Sequence, residues 1–366
     1  MYRKLFKKNY LIMKANKGEW AEFYTHIKII SDRKIYKGNS KLEIDNNLFY
    51  PVSAVFKQIN KLTINKFNLD NLDNFTLSSK LGDKTFFNYD IVKSKVIEIF
   101  KNISENTGSF EIPVANLLAK EINLPVKNQI REKSDITLQI ENIHNLDKSI
   151  LGFSIKSKLT ANSTLLNASL STRIVFEIDN LDEKYIEDIN KIDTKSKVRD
   201  KIQAIVKLGG KMKPSSIKSK QFETNLKYFD SQFEKIISQM LLLAYSNSKK
   251  LKDIINLSEF ETFLTEIGIN KNQCVEKVKD FLLAFALGME PIKPYTGLDD
   301  LVGGIIWVKK DGSLICQHLF ERPELKQYLF DNTFFESPST DRHQYGFIYK
   351  NNNQLYFDLC LQIRFT

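Results

Sequence analysis

The chain has 366 residues, 42% of them apolar, which is enough for one large domain or two closely packed ones. No apolar run approaches the roughly 20 residues that a membrane-spanning helix needs, and charge returns at Lys14, Lys17 and Glu19 before a signal-peptide core could form. Its 54 basic against 44 acidic residues give a net charge of +10 and a pI near 9.1. We therefore expect a cytoplasmic chain without membrane contact and with a polyanionic partner.

The positive charge is unevenly distributed. Residues 148–176 contain no acid, and residues 201–220 contain six lysines and no acid. Lysine-rich composition also arises without a function, and a solvated surface is the alternative interpretation of each stretch. The three cysteines, Cys274, Cys316 and Cys360, are far apart and odd in number, so we expect reduced core thiols rather than a disulfide framework or metal site.

The first predicted element is an amphipathic helix over 16–30. Trp20, Phe23 and Ile27 recur at helical spacing on its apolar face. Glu19 and Glu22 fall together at the border of that face. This helix should pack on a sheet with its two acids at the margin of the contact.

Two strands joined by a turn at 144–145 follow. Residues 135–141 alternate strictly, with Ile136 and Leu138 on the apolar face, and this pattern predicts a half-buried strand. In the second strand, 151–159, Phe153 points inward and Ser154, Lys156 and Lys158 point outward. A third strand is expected at 173–178.

In the rest of the chain the predicted secondary structure changes twice, from strands to helices and back to strands. Gly209, Gly210 and Pro214 mark the end of the first region or a mobile loop, and residues 222–289 then read as helices, with 281–287 as a core segment. After the breakers at 291–297, strands are predicted at 303–308, 313–320, 345–350 and 354–365. The fold class is therefore α+β (mixed α/β), divided into 1–215, a helical region 216–290 and a β-rich region 291–366.

Asp135 and Lys156 are the candidate chemical pair. Cleaving a phosphodiester needs an anionic metal site, an activated water and a cation near the developing charge. A hairpin can bring Asp135 and Lys156, 21 residues apart, to one sheet edge. Asp135 would bind Mg²⁺, which prefers oxygen ligands, and Lys156 would orient the attacking water. Two exposed charges on a strand surface remain the alternative.

Six blocks carry a resemblance to a known family, and they occur in order along almost the whole chain. The most specific is FSIKSK followed by TLLNAS within 151–169. The chain resembles the HpaII-type restriction endonucleases in all six, which are NKGEWAEFY (16–24), SDITLQI (134–140), LGFSIKSKLTANSTLLNAS (151–169), LVGGIIWVKKDG (301–312), SPSTDRHQYG (337–346) and LQIRF (361–365).

The resemblance implies a PD-(D/E)XK nuclease core. Asp135 would be the metal-binding acid, and Ser154, Ile155 and Lys156 would occupy the (D/E)XK position. The chain departs from the general pattern because Ser154 replaces the second acid, so another residue must supply the missing carboxylate. The candidates are Glu22 and Glu19, with Glu22 favoured because it borders the apolar face of the helix; Glu141 is a poorer one. The catalytic set is thus Asp135, Ser154, Lys156 and Glu22, and the metal-ligand set is Asp135, Glu22, Glu19 and Ile155.

Two further segments could contact DNA. The first is 160–169, directly after the predicted hairpin, where short side chains that form hydrogen bonds are dense. Such side chains can contact phosphate oxygens and base edges, although a polar turn would have the same composition. In 337–346, Arg342 could hold a guanine edge, and a structural arginine is equally compatible. The candidate DNA-binding residues are Lys158, Asn162, Thr164, Asn167, Ser169, Lys211, Arg342 and His343.

HpaII-type enzymes imply hydrolysis of double-stranded DNA at 5′-CCGG-3′ with a 5′ overhang. A two-fold symmetric target favours a homodimer, and a companion DNA methyltransferase is implied as a system partner without direct contact. In this interpretation 1–215 is the nuclease core and 291–366 the DNA-recognition region. The alternative function is a sequence-specific DNA-binding protein with a degenerate nuclease site. No P-loop spacing surrounds Lys211, no GxGxxG or methyl-donor motif is present, and four scattered histidines form no evident metal motif.

Overall fold

A computed structural model describes residues 13–79, 83–127, 134–141, 148–159, 163–247, 250–297, 303–318 and 321–366. The predicted turn at 144–145 and residues Thr160 and Asn162 lie outside the described residues. Within the described part, no helix is long and apolar enough to cross a bilayer.

The elements follow in chain order. Residues 13–159 form β1 (Lys14–Asn16), α1 (Lys17–Asp32), β2 (Lys34–Gly38), β3 (Ile44–Asn60), β4 (Thr63–Asn68), β5 (Asn74–Ser78), β6 (Lys84–Asn88), α2 (Asp90–Glu105), β7 (Ser109–Glu111), α3 (Pro113–Glu121), β8 (Ile136–Glu141) and β9 (Lys148–Ser157).

Residues 163–297 form β10 (Thr164–Leu166), β11 (Arg173–Asp179), α4 (Ile186–Asn190), α5 (Lys197–Lys207), β12 (Lys211–Ile217), α6 (Lys220–Leu226), α7 (Phe233–Asn247), α8 (Leu251–Ile254), α9 (Ser258–Glu266) and α10 (Lys271–Ala286), with 3₁₀ turns at Leu170–Thr172 and Glu183–Tyr185. Residues 303–366 form β13 (Gly304–Val308), β14 (Leu314–His318), α11 (Arg322–Asp331), β15 (Thr333–Phe335), α12 (Thr340–His343), β16 (Ile348–Asn351), β17 (Gln354–Cys360) and β18 (Ile363–Phe365). The mixed helix and sheet content confirms the α+β class.

The chain divides into two compact units. The N-terminal unit contains residues 1–161 and 301–321, and the C-terminal unit contains 162–300 and 322–366. These boundaries differ from the three predicted ranges, because β13 and β14 belong to the sheet of the predicted catalytic hairpin although they lie about 150 residues downstream of it.

The N-terminal unit is built on a nine-stranded sheet with the order β2-β14-β13-β9-β8-β3-β4-β5-β6. β8 and β9 pair antiparallel as predicted, and β13 adds to β9 in parallel. Helices α1, α2 and α3 supply buried apolar side chains to the same core as this sheet, among them Trp20, Phe23 and Ile27 of α1. The helix predicted at 16–30 is confirmed as α1.

The double glycine of the 301–312 block has a geometric role at the start of β13. A Cβ on Gly303 would lie 2.7 Å from the Gly152 carbonyl oxygen, and one on Gly304, whose φ is +108°, would lie 2.2 Å from the Gln317 carbonyl oxygen. Only glycine allows this close approach of three strands. The pair thus lets β13 enter between β9 and β14.

The C-terminal unit combines the predicted helical region with two small sheets, ordered β12-β11-β17-β16 and β10-β18-β15. The predicted strand at 173–178 is confirmed as β11, and the predicted core segment 281–287 lies in the buried part of α10. The three cysteines are free and buried, as expected.

Pro214 is not part of a loop, which corrects one prediction. It lies inside β12, an edge strand, opposite Phe176 and next to a register shift in β11. A proline is tolerated there because an edge position needs no hydrogen bond from its nitrogen. Gly209, with a φ of +88°, and Gly210 end α5 by donating to the Val206 and Ile205 carbonyls.

Candidate nuclease site and nucleic-acid interface

Helix α1 fixes the position of Glu22. Its first turn is closed by a capping box in which the Asn16 side chain accepts from the Glu19 N–H at 3.0 Å and Glu19 Oε2 accepts from the Asn16 N–H at 2.7 Å. Trp20 and Phe23 are buried in the core on either side of Glu22 in sequence, and Glu22 itself is half-buried. The helix therefore holds Glu22 at the margin of its buried face, as predicted.

Asp135 lies immediately before β8 and is bound to β9. Its N–H donates to the Phe153 carbonyl at 3.0 Å, and its Oδ2 accepts from the Ile155 N–H at 2.7 Å and from Ser154 Oγ at 3.2 Å. These contacts fix one carboxylate oxygen and leave Oδ1 without a hydrogen bond from any described residue. The predicted hairpin thus brings Asp135 into contact with Ser154 and Ile155.

Ser154 was expected to point to solvent, and this is wrong. It is 6% exposed, and its strand neighbour on β13 is the fully buried Ile305. Lys156, two residues on, is half-exposed beside Trp307 of β13. The serine thus lies beside a buried residue of the added parallel strand, and its hydroxyl donates to Asp135.

Glu22 feels the charges of its neighbours. The pKa of Glu22 is raised from 4.5 to about 7, first by burial and second by the negative charge of Asp135; Glu19 adds to the rise, and Lys57 and Lys156 oppose it. The negative charges of Asp135 and Glu19 thus act on Glu22 from the residue before β8 and from its own helix, and two lysines of β3 and β9 partly offset them. Such a pair of repelling carboxylates is characteristic of sites that accommodate a cation.

Glu19 has other partners. Besides the capping box, its Oε1 lies 3.3 Å from Lys127 Nζ. Glu141, at the far end of β8, pairs with Lys148 at 3.3 Å. Both acids are thus bound to structural or surface partners, whereas Glu22 has no ion pair within 4.0 Å among the described residues.

The donor atoms present fit Mg²⁺. Carboxylates of Glu22 and Asp135 are hard oxygen ligands, and Ile155, whose side chain is apolar and buried, can offer only its backbone carbonyl. No cluster of three or more His, Cys, Asp or Glu side chains occurs in the part of the chain that the structure describes. This agrees with Mg²⁺, which is usually held by one or two carboxylates together with water and substrate phosphate.

The second candidate site is a cleft of about 600 Å³ within the C-terminal unit. Three segments that are distant in sequence line it: the polar run at 160–169, the 337–346 block with the residue before it, and the LQIRF block at 361–365. The cleft is lined by Asn167, Ala168, Glu336, Ser337, Pro338, Ser339, Arg342, His343, Gln362 and Arg364.

Arg342 is exposed in this cleft on the short helix α12, whose N-cap Ser339 accepts from the Arg342 N–H at 3.3 Å. Its guanidinium has no hydrogen-bond or ion-pair partner within the described ranges. His343 is half-buried and its carbonyl accepts from Arg173. Burial, followed by the charges of Arg342 and Arg173, lowers the pKa of His343.

The other predicted DNA-binding residues are dispersed. Thr164 is opposite Arg364 in the β10–β18 pair. Ser169 caps the 3₁₀ turn at Leu170–Thr172, and Lys211 is exposed at the start of β12. Lys158 Nζ lies 5.3 Å from the centroid of the Trp307 ring, and burial followed by the charge of Lys310 lowers its pKa.

The two acid-free stretches do not form uninterrupted basic surfaces. In 148–176, Arg173 pairs with Asp358 at 3.7 Å. In 201–220, Lys213 pairs with Asp179 at 2.7 Å and Lys220 with Glu223 at 3.0 Å, while Lys201 is 2% exposed and donates to the Gly346 carbonyl at 3.1 Å. Folding thus brings acids to three of these basic residues and buries a fourth.

Comparison with known proteins decides the family. The model of the HpaII restriction endonuclease family matches residues 16–365. A relative, the type II restriction enzyme HpaII of Haemophilus parainfluenzae, is 32% identical over 356 residues, which cover 96% of this chain and 98% of the relative. The chain belongs to the HpaII restriction endonuclease family. As a member of this family it is a site-specific deoxyribonuclease, and DNA is its substrate. No solved structure matches the chain.

For this HpaII-family chain, sequence reasoning missed several residues of the two sites. Lys57 on β3 is 3% exposed and acts electrostatically on Glu22, but nothing in the 44–60 sequence marks it as different from a surface lysine. Glu336 was not singled out, and Gln362 and Arg364 stood inside the LQIRF block without an assigned role. These three residues could have been found from their position, because Gln362 and Arg364 lie inside a block that resembles the family and Glu336 directly precedes another.

Proposed function

We propose that this chain cuts double-stranded DNA at 5′-CCGG-3′, leaving a 5′ overhang, by Mg²⁺-dependent hydrolysis in a PD-(D/E)XK-type core. The observation that carries the proposal is the hydrogen bonding of Asp135 to Ser154 and to the Ile155 N–H, one residue before Lys156. The half-buried Glu22, whose pKa is raised by burial and by the charge of Asp135, adds the second carboxylate. Family membership supports the reaction class, and the relative named HpaII supports the choice of target.

In this proposal Glu22 and Asp135 hold the metal, with the Ile155 carbonyl as a third oxygen. When bound, Mg²⁺ would neutralise charge on the scissile phosphate and lower the pKa of a bound water. Ser154 cannot replace the missing acid. Its hydroxyl instead holds Asp135 Oδ2, together with the Ile155 N–H, so that Oδ1 remains available as a ligand.

Lys156 contributes a positive charge next to the carboxylates. Its ammonium would orient the attacking water by hydrogen bonding and stabilise the negative charge that develops on the phosphoryl oxygens. The backbone of Lys156 is held by its pairing with Trp307 of β13, so the side chain starts from a fixed point beside Asp135.

We propose that the cleft of the C-terminal unit recognises the bases of the target DNA, because the exposed Arg342 can donate hydrogen bonds to guanine O6 and N7. Because CCGG is two-fold symmetric, we further propose a homodimer on DNA and a companion methyltransferase that protects the same sites without touching this chain.

A plasmid digestion tests the proposal against its alternative, a DNA-binding protein without catalysis. Wild-type protein is incubated with a plasmid containing CCGG sites and with a matched plasmid in which every CCGG has been changed, each with Mg²⁺ and with EDTA. Discrete fragments only from the first plasmid with Mg²⁺ are expected. Binding without cleavage in Mg²⁺ would support the alternative, and cleavage of both plasmids would contradict CCGG as the target.

A further inference from the structure

Glu336 is the acid of the cleft that Arg342 lines. It follows β15 directly, and its N–H donates to the Gln362 carbonyl at 3.0 Å. Its Oε2 forms an ion pair with Arg364, 2.5 Å from Nε, and accepts a hydrogen bond from Gln362 Nε2 at 3.1 Å. Gln362 is 5% exposed, and Arg364 lies on the central strand β18, so burial and the sheet hold the two partners in place.

This arrangement orients the carboxylate instead of merely neutralising it. Oε1 has no hydrogen-bond partner among the described residues, while Oε2 has both the ion pair with Arg364 and the hydrogen bond from Gln362. The Glu336 side chain retains 29% of its exposure, so Oε1 can be reached from the cleft. The result is one fixed, accessible acceptor beside an exposed arginine.

A carboxylate is unsuited to contact with the phosphate backbone, because like charges repel. It is suited to a base edge that donates a hydrogen bond, and in the major groove a glutamate or aspartate accepts from cytosine N4. Arginine reads guanine in the same groove. A cleft that offers one fixed acceptor and one guanidinium therefore has the chemistry of a C·G reader.

We propose that Glu336, positioned by Arg364 and Gln362, is a specificity-determining residue that accepts a hydrogen bond from a cytosine N4 amino group of the target. The inference rests on the proposed function, since it assigns a base contact within the cleft proposed to read DNA. The inference adds to the proposed function the residue, the atom and the base edge that form the contact.

Glu336→Gln gives a sharp test. The glutamine carbonyl would take the place of Oε2, where Arg364 and Gln362 supply donors, so the amide NH₂ would occupy the place of Oε1 and oppose the cytosine amino group. Affinity is measured without divalent metal on the CCGG duplex, on a scrambled duplex, and on duplexes in which each cytosine in turn is replaced by 2-pyrimidinone, which lacks the amino group. The matched control is Glu266→Gln, which removes the same charge from the exposed end of α9.

Glu336→Gln is expected to lose about 5- to 150-fold in affinity for CCGG, the range for one base contact, and little for the scrambled duplex. On the duplex lacking the contacted amino group, wild type and Glu336→Gln should bind within a few-fold of each other. Glu266→Gln should behave as wild type throughout.

An equal loss on all duplexes, or a loss accompanied by a lower unfolding midpoint, would overturn the proposal and make Glu336 a structural partner of Arg364. If the wild-type protein bound the CCGG and scrambled duplexes equally, specific recognition of CCGG would be refuted. That result would contradict the proposed function and, with it, this inference.

Discussion

Replacing Glu22 by glutamine should stabilise the metal-free protein at alkaline pH. The pKa of Glu22 rises from 4.5 to about 7 in the folded chain, and at about 1.4 kcal/mol per pKa unit this is a cost of roughly 3 kcal/mol for the ionised folded form. Glutamine has nearly the same shape and no charge to desolvate. The variant should therefore exceed the wild type in unfolding free energy by up to about 3 kcal/mol at pH 8.

The sign of the pH dependence follows from proton binding. Between pH 4.5 and about 7 the folded chain holds a proton on Glu22 that the unfolded chain releases, so this group lowers stability as the pH rises through that window. Below pH 4 both states are protonated, and the variant and the wild type should differ little. Mg²⁺ should reverse the order at pH 8, because the cation favours the ionised Glu22 and has one ligand fewer in the variant.

Urea unfolding at pH 4, 6 and 8, with and without Mg²⁺, measures these differences. Glu19→Gln is the matched control, since it removes an acid one turn away that has its own cap and lysine partner. Mg²⁺-dependent cleavage should fall more in Glu22→Gln than in Glu19→Gln. Equal stability of Glu22→Gln and wild type at pH 8, or a greater loss of cleavage in Glu19→Gln, would refute the assignment of Glu22.

Three further substitutions test the remaining roles. Asp135→Ala should abolish cleavage and preserve or strengthen metal-free DNA binding, because a carboxylate that repels phosphate is removed; cleavage within tenfold of wild type would exclude Asp135 as a metal ligand. Lys156→Ala should lower the single-turnover rate by about 10²- to 10⁴-fold with a much smaller change in affinity, whereas equal losses of rate and affinity would indicate a phosphate contact. Arg342→Ala should cost roughly 1–3 kcal/mol on CCGG and less on a scrambled duplex, while Lys211→Ala should weaken both alike and lower the salt slope by about one; equal losses in Arg342→Ala would remove Arg342 from base reading.

Local patterns were sufficient for the elements that position the candidate nuclease site. The helical spacing of Trp20, Phe23 and Ile27 predicted α1, and the alternation around Ile136 and Leu138 predicted β8. Both patterns arise because each element buries one face, so its apolar residues recur with the period of the helix or the strand. The same periodicity placed Glu22 at the border of the buried face of α1.

Pairings between distant segments could not be predicted in this way. β13 lies beside β9 although about 150 residues separate them, and this pairing places the buried Ile305 next to Ser154. The burial of Lys201 depends on Gly346, and the position of Glu336 depends on Arg364 and Gln362. Residues 33–127, with five strands of the large sheet, were left unassigned, although the buried residues of α2, Val92, Val96, Ile99 and Ile103, recur at helical spacing.

The most direct test of the central claim is to map the ends that the wild-type protein produces on DNA of known sequence with Mg²⁺. The proposal predicts that every cut falls within CCGG, that both strands are cut with a 5′ overhang, and that Asp135→Ala yields no ends under the same conditions. Ends at another sequence would contradict the assigned target, and ends scattered along the DNA would contradict site-specific cleavage by this nuclease site.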